Sequence, residues 1–140
     1  MKKIAIIGHG VVGKSMEKLF ANQFEIKVYD VATQPNKSEV SGCDLAIICV
    51  PTNMQPDGSA DISIVDGVIS WLDSPLILIK STVPPGTTDY LRNKYQKKVN
   101  FSPEYIGESS YFTPFWKYPD PQKAETHTFV IVGGEESSEI

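Results

Sequence analysis

The apolar run Ile4–Ile7 stops at a glycine, and two more glycines follow at fixed spacing, as Gly8-x-Gly10-x-x-Gly13. This pattern suits a buried strand that turns at once into a helix. Gly8 permits the tight turn. Gly10 lacks a side chain, so an anion can reach the backbone there. Gly13 lets the helix lie close to the strand. The first N–H groups of a helix have no intrahelical partner and carry a partial positive charge, so an anion is favoured in front of them.

The surrounding residues support that reading. Val11 to Asn22 is helix-like, with Val12, Met16, Leu19 and Phe20 near one face. Phe24 to Asp30 then alternates apolar and polar residues and ends in an acid, 17 positions after Gly13. In dinucleotide-binding folds a carboxylate at that place accepts hydrogen bonds from the adenosine ribose and repels a 2′-phosphate. The expected cofactor is therefore NAD rather than NADP, with Gly8, Gly10, Val11, Val12, Gly13 and Asp30 as binding residues. Asp30 is also a competent turn or cap residue in its own right.

Further along, apolar runs alternate with polar and helical stretches. Val31 to Gly42 is polar and should end in a short helix or turn. Asp44–Val50 is apolar throughout, as a strand covered on both faces would be. A Pro, Gly, Asn and Asp loop covers Pro51 to Ala60, and Asp61 is placed to cap a helix running to Leu72. Leu76–Ile79 reads as a strand and Lys80–Gly86 as a loop. Thr87 or Thr88 can cap a helix through Leu91 and Tyr95. Lys98–Phe101 reads as a weaker strand, and Thr128–Val132 as a sixth. Such alternation implies an α/β fold, a doubly wound parallel sheet of about six strands in a single domain over residues 1–140. The expected strand order is 3-2-1-4-5-6, with the ligand at the C-terminal strand ends. The loops beginning at Gly8, Asp30, Pro51, Lys80 and Ser102 should then converge on one crevice.

Bulk properties exclude several classes. A net charge of -4 with interspersed signs gives no basic field for nucleic acid. No apolar run approaches the ~20 residues of a membrane span, and the short run after Met1-Lys2-Lys3 is unlike a signal peptide. A cytoplasmic location is expected. Cys43 and Cys49 lie in or beside a buried strand and read as reduced core residues. No spacing suggests a metal site.

Four segments together resemble the NAD-binding domain of the UDP-glucose/GDP-mannose 6-dehydrogenase family. They are Gly8–Gly13 with Asp30, Cys49–Thr52 with Asp57–Asp61, Lys80–Thr88, and Ser102-Pro103-Glu104. The resemblance spans almost the whole chain, and Lys80–Thr88 with Ser102–Glu104 are its more specific parts. It implies oxidation of a nucleotide sugar, UDP-glucose or a similar compound, at C6 to the carboxylate with two NAD, through a cysteine-bound intermediate. It also implies that Val50, Pro51 and Thr52 line the cofactor cleft, and that Thr82 places a hydroxyl near the reacting centre. Glu104 would orient substrate and handle protons or water. Glu108 would be a second acid near the nicotinamide.

Plainer roles stand beside these. Thr82 could satisfy loop backbone groups. Pro84–Thr87 could be only a turn into a helix cap. Glu104 and Glu108 are spaced as a solvated helical pair would be. His9 reads as a variable position within the turn. Where the family carries a basic residue after Ser-Pro-Glu, this chain has Gly107. Tyr111–Tyr118 adds aromatic bulk suited to burial or docking. The family's nucleophilic cysteine and most of its sugar site lie beyond this domain, and neither Cys43 nor Cys49 has the surroundings of a catalytic thiol. The chain is therefore expected to bind NAD but to need a C-terminal domain or partner chain for turnover. Two other readings are another NAD-dependent hydroxyacid dehydrogenase of the 3-hydroxyisobutyrate type, and a stand-alone nucleotide-binding module.

Overall fold

In a computed structural model, which describes residues 1–106, 124–127 and 129–140, five parallel strands form one sheet. They are β1 (Lys3–Ile7), β2 (Glu25–Tyr29), β3 (Leu45–Ile48), β4 (Leu76–Ile79) and β5 (Lys98–Phe101). Three helices connect them, α1 (Val11–Phe20), α2 (Ser63–Trp71) and α3 (Thr87–Tyr95). The central strands are apolar because both faces are covered. Ala5, Ile7, Ala46, Ile48, Ile77 and Ile79 pack into one core with Val65 and Ile69 of α2 and Leu91 of α3. Ile4, Ile6 and Ile47 pack into a second, with Met16 of α1 and the partly buried Val12, Leu19 and Phe20 beside it. Each fully buried Ile or Leu contributes roughly 1.5–3 kcal/mol by leaving water.

The strand order is β2-β1-β3-β4-β5, which corrects the expected 3-2-1-4-5-6. That order placed the Asp44–Val50 run on the far side of β2. The polar stretch after Asp30 supplies a 3-10 turn, Lys37–Val40, and the next apolar run pairs directly with β1, Ile4 opposite Leu45 through Ile7 opposite Ile48. The direction of winding therefore reverses between β1 and β3. In open parallel sheets a ligand crevice opens at such a switch point, outside the carboxyl ends of the strands.

The expected sixth strand is absent from the described residues. Phe129, Val130 and Ile131 are exposed, and the chain meets β5 at Gly133, which exchanges two backbone hydrogen bonds with Phe101 in an antiparallel bridge. Its apolar residues suggested a strand without any face to bury.

The helix ends also differ in detail. α1 stops at Phe20, short of Asn22. Ile62 occupies the cap position of α2, and the Asp61 carboxylate instead accepts a hydrogen bond from the Ser63 N–H at 2.8 Å. Gly86, with φ +86°, caps α3, while the Thr87 hydroxyl donates back to the Pro84 carbonyl at 2.7 Å. The last carbonyls of α2 receive the Lys97 ammonium, which bonds to Ile69 and Leu72. None of the described helices is long and apolar enough to cross a membrane.

Candidate functional site: a cleft at the switch point

The glycine turn is built as its spacing suggested. Gly8 has φ +92°, and a Cβ there would lie 2.7 Å from the Cys49 carbonyl oxygen. β3 therefore passes too close for any side chain. A Cβ on Gly13 would come within 2.0 Å of the Gly8 carbonyl oxygen, so α1 packs directly onto the turn. Gly10 differs: nothing lies within 4 Å of where its Cβ would be. Its missing side chain leaves open space in front of α1. The first turn of α1 has no acidic residue, and no side chain caps its N–H groups. The donors are left for an anion.

Asp30 joins this turn from the end of β2. One carboxylate oxygen accepts from the His9 N–H at 2.9 Å, and the other from Ala32 N–H at 2.9 Å and Thr33 N–H at 3.3 Å. These hydrogen bonds, His9 first, hold its carboxyl below the ordinary Asp range. Asp30 is thus a turn residue and remains available as a ligand. The Thr33 hydroxyl also reaches the second oxygen, at 3.4 Å, while the oxygen facing His9 takes one bond and keeps room for another.

A cleft of about 620 Å³ opens over these residues, with Val50, Pro51 and Thr52 after β3, Thr82 after β4 and Glu104 after β5 also on its walls. Of the expected site residues, Gly8, Gly10, Val11, Val12, Asp30, Val50, Pro51, Thr52, Thr82 and Glu104 line it, and Gly13 lies buried behind the turn. Glu108 and Tyr111–Tyr118 lie outside the described residues.

Thr82 is exposed in the cleft, and its hydroxyl has no hydrogen bond among the described residues. Its neighbour, the Ser81 hydroxyl, donates instead to the Val50 carbonyl at 2.7 Å and ties this loop to the one after β3. Asp57, by contrast, is used locally, accepting from the Ser59 N–H and hydroxyl.

Lys80 was not among the expected site residues. Its side chain is only 8 % exposed, and its ammonium donates to the Pro103 carbonyl at 3.0 Å and the Ser102 hydroxyl at 3.4 Å. It also lies 3.3 Å from Glu104 Oε2. That approach is an ion pair without hydrogen-bond alignment, since Oε2 is buried with no donor on it, while Oε1 accepts from the Ile106 N–H. The sequence signal was a lone lysine directly after the apolar strand Leu76–Ile79, where a charge would be buried.

The thiols are inert, as their setting suggested. Burial, with Glu104 adding to it, pushes Cys49 up to about 12. Burial also raises Cys43. Neither forms a thiolate readily near neutrality. No cluster of metal-ligating side chains occurs among the described residues.

The sequence matches the UDP-glucose/GDP-mannose dehydrogenase family, NAD binding domain, over residues 29–119. The chain belongs to this family. A UDP-glucose 6-dehydrogenase of Streptococcus pneumoniae is 32% identical to it, over 76% of the chain and 37% of the relative. Among solved structures, a UDP-glucose dehydrogenase from Pyrobaculum islandicum superposes with a TM-score of 0.72 at 23% identity, covering 99% of this chain and 42% of that one. A GDP-mannose dehydrogenase from Pseudomonas aeruginosa gives 0.69 at 19% identity, covering 97% and 42%. At such identities these two show the shared fold. The chain spans about two fifths of the length of the relatives it matches. Membership sets aside the 3-hydroxyisobutyrate type, and NAD is the family's cofactor. The open cradle at Gly10, the uncapped α1 and the ionised Asp30 fit that cofactor.

Proposed function

We propose that this chain is the cofactor-binding part of a nucleotide-sugar 6-dehydrogenase acting on UDP-glucose or a similar compound in the cytoplasm. The observation that carries the reading is the convergence of the glycine turn, Asp30, Thr82 and Glu104 on one cleft at the β1–β3 switch point. Gly8, Gly10, Val11 and Val12 would receive the pyrophosphate on the start of α1, and Asp30 the adenosine ribose. Bound NAD supplies a hydride acceptor. Thr82 offers a free hydroxyl and Glu104 a carboxylate held by Lys80, at the end of the cleft where the nucleotide sugar would meet the nicotinamide. The sugar itself, and the thiol that carries the intermediate, would be held by a further domain or partner chain.

Calorimetry with NAD tests the first half. Saturable binding is expected, weakened by Asp30→Ala and by Gly10→Val, whose side chain would enter the cradle. Absence of binding at millimolar NAD would sink the reading. The second half is tested by supplying the substrate domain of a family member, fused or in trans, and following NADH formation with UDP-glucose. A chain that binds NAD but gains no activity in either arrangement would instead be a stand-alone nucleotide-binding module.

A further inference from the structure

His9 occupies a position of the glycine turn that the spacing leaves free. Its backbone N–H bonds Asp30, and its ring Nε2 lies 2.6 Å from Glu17 Oε2 on α1. The side chain is 19 % exposed, and the residue lines the cleft next to Gly10. The turn thus carries one titratable ring, tied to a carboxylate, beside the place where a dianionic pyrophosphate would sit.

We propose that His9 is a cofactor-binding residue that acts through its charge, so that NAD binding takes up a proton at the His9–Glu17 pair. The inference rests on the cofactor reading of the glycine turn.

With the ring neutral, the pair carries one negative charge, and the ionised Asp30 adds a second beside it. Both oppose an incoming pyrophosphate. With the ring protonated, the pair is neutral and an imidazolium N–H faces the carboxylate. The other groups around the site do not supply this compensation. Cys49, after β3, stays a neutral thiol, and Lys14 on α1 is exposed. Lys80 and Glu104, after β4 and β5, are paired with each other. One unit charge a few ångströms from a dianion in a partly wet cleft changes affinity about three- to tenfold. A bound dianion raises the proton affinity of the ring. Binding is therefore tighter where the pair holds the proton, and the advantage is lost as pH rises and the proton leaves.

The chain has two histidines, which makes the test clean. NAD is titrated calorimetrically into the 140-residue chain between about pH 5.5 and 8, in buffers of different ionisation enthalpy. The expected result is a dissociation constant about three- to tenfold higher at the upper pH, with measurable proton uptake on binding at intermediate pH. His9→Asn should abolish both the slope and the uptake, whereas His127→Asn should leave them. Glu17→Gln should tighten binding at the upper pH, which a merely structural pair would not do. Salt at about 1 M should flatten the slope. A slope that survives in His9→Asn, or a wild-type chain that binds NAD with no slope, overturns the proposal and spares the cofactor site. Failure to bind at any pH overturns both.

Discussion

The two walls of the cleft are built on different physics. On the β1–α1 side the backbone does the positioning. Gly8 and Gly13 bring the turn, α1 and β3 closer than any side chain would allow, and Gly10 leaves the helix N-terminus open. On the β4–β5 side a buried ion pair does it. Lys80 reaches from the end of β4 to hold Ser102, Pro103 and Glu104 at the end of β5. The first wall tolerates no added atom at Gly8 or Gly13. The second tolerates changes of shape better than changes of charge. A site that must bind a fixed dianion gains from the rigid wall, and one that must handle protons gains from the charged wall.

The largest expected break is in the rigid wall. Gly13→Ala places a Cβ 2.0 Å from a backbone oxygen that cannot rotate away. Overpacking against backbone should cost roughly 3 kcal/mol or more. Thermal melting should fall by about 10 °C or more, with or without NAD. Gly10→Ala provides the contrast, since its Cβ meets nothing within 4 Å. It should fold normally and lose cofactor affinity, separating the glycine that shapes the turn from the one that admits the ligand.

In the charged wall, Lys80→Met leaves Glu104, 14 % exposed, without its cation. Removing one partner of a largely buried pair costs about 2–4 kcal/mol, because the other charge stays uncompensated. Glu104→Gln alone strands the ammonium similarly. The double variant Lys80→Met with Glu104→Gln should recover most of the lost stability in chemical denaturation. Strict additivity of the two single losses would show that the pair is not the unit described here.

How much of each wall was legible follows from the same contrast. Glycine spacing is a short-range constraint, so Gly8, Gly10, Gly13 and the helix behind them could be read along the chain, and Asp30 with them. The β3 and β4 runs were legible because strands covered on both faces are apolar throughout, whereas β5, with Lys98 and Asn100 in it, gave the weaker signal. Sheet order was not, because it depended on where the third apolar run would pair, and it pairs with β1 and not with the far edge of β2. Lys80 and Glu104 lie 24 positions apart, and their pairing exists only after β4 and β5 are side by side. The run Phe129–Ile131 misled for the opposite reason: its composition suits a strand, but all three residues are exposed. The caps differ too: Ile62 stands at the cap of α2 where Asp61 was expected, and Gly86 at that of α3 where Thr87 or Thr88 was, with Asp61 and Thr87 bonding Ser63 and Pro84 beside them.

Asp30 joins the two kinds of wall, since a charged side chain there holds the backbone turn. Asp30→Ala removes two charge-assisted hydrogen bonds of 2.9 Å and the ribose acceptor together. NAD affinity should drop about tenfold or more, and NADP should lose less, because the repulsion of its 2′-phosphate goes too. Equal losses for both cofactors would mean that Asp30 serves only the turn.

The smallest effect is on acid stability, and its sign follows from the lowered proton affinity of Asp30. A carboxyl held below its ordinary range contributes stability that is fully present above the range of the unfolded chain. That stability is lost as pH falls through the folded value. Between about pH 5 and pH 3 the wild-type chain should therefore lose stability more steeply than Asp30→Asn, which has no proton to take up. Because Asp30 is partly exposed, water screens much of the contribution, and the difference in slope should be modest. The two profiles should run parallel above about pH 6, where Asp30 is ionised in both states. A difference that grew there instead would mean that a group other than Asp30 carries the proton linkage.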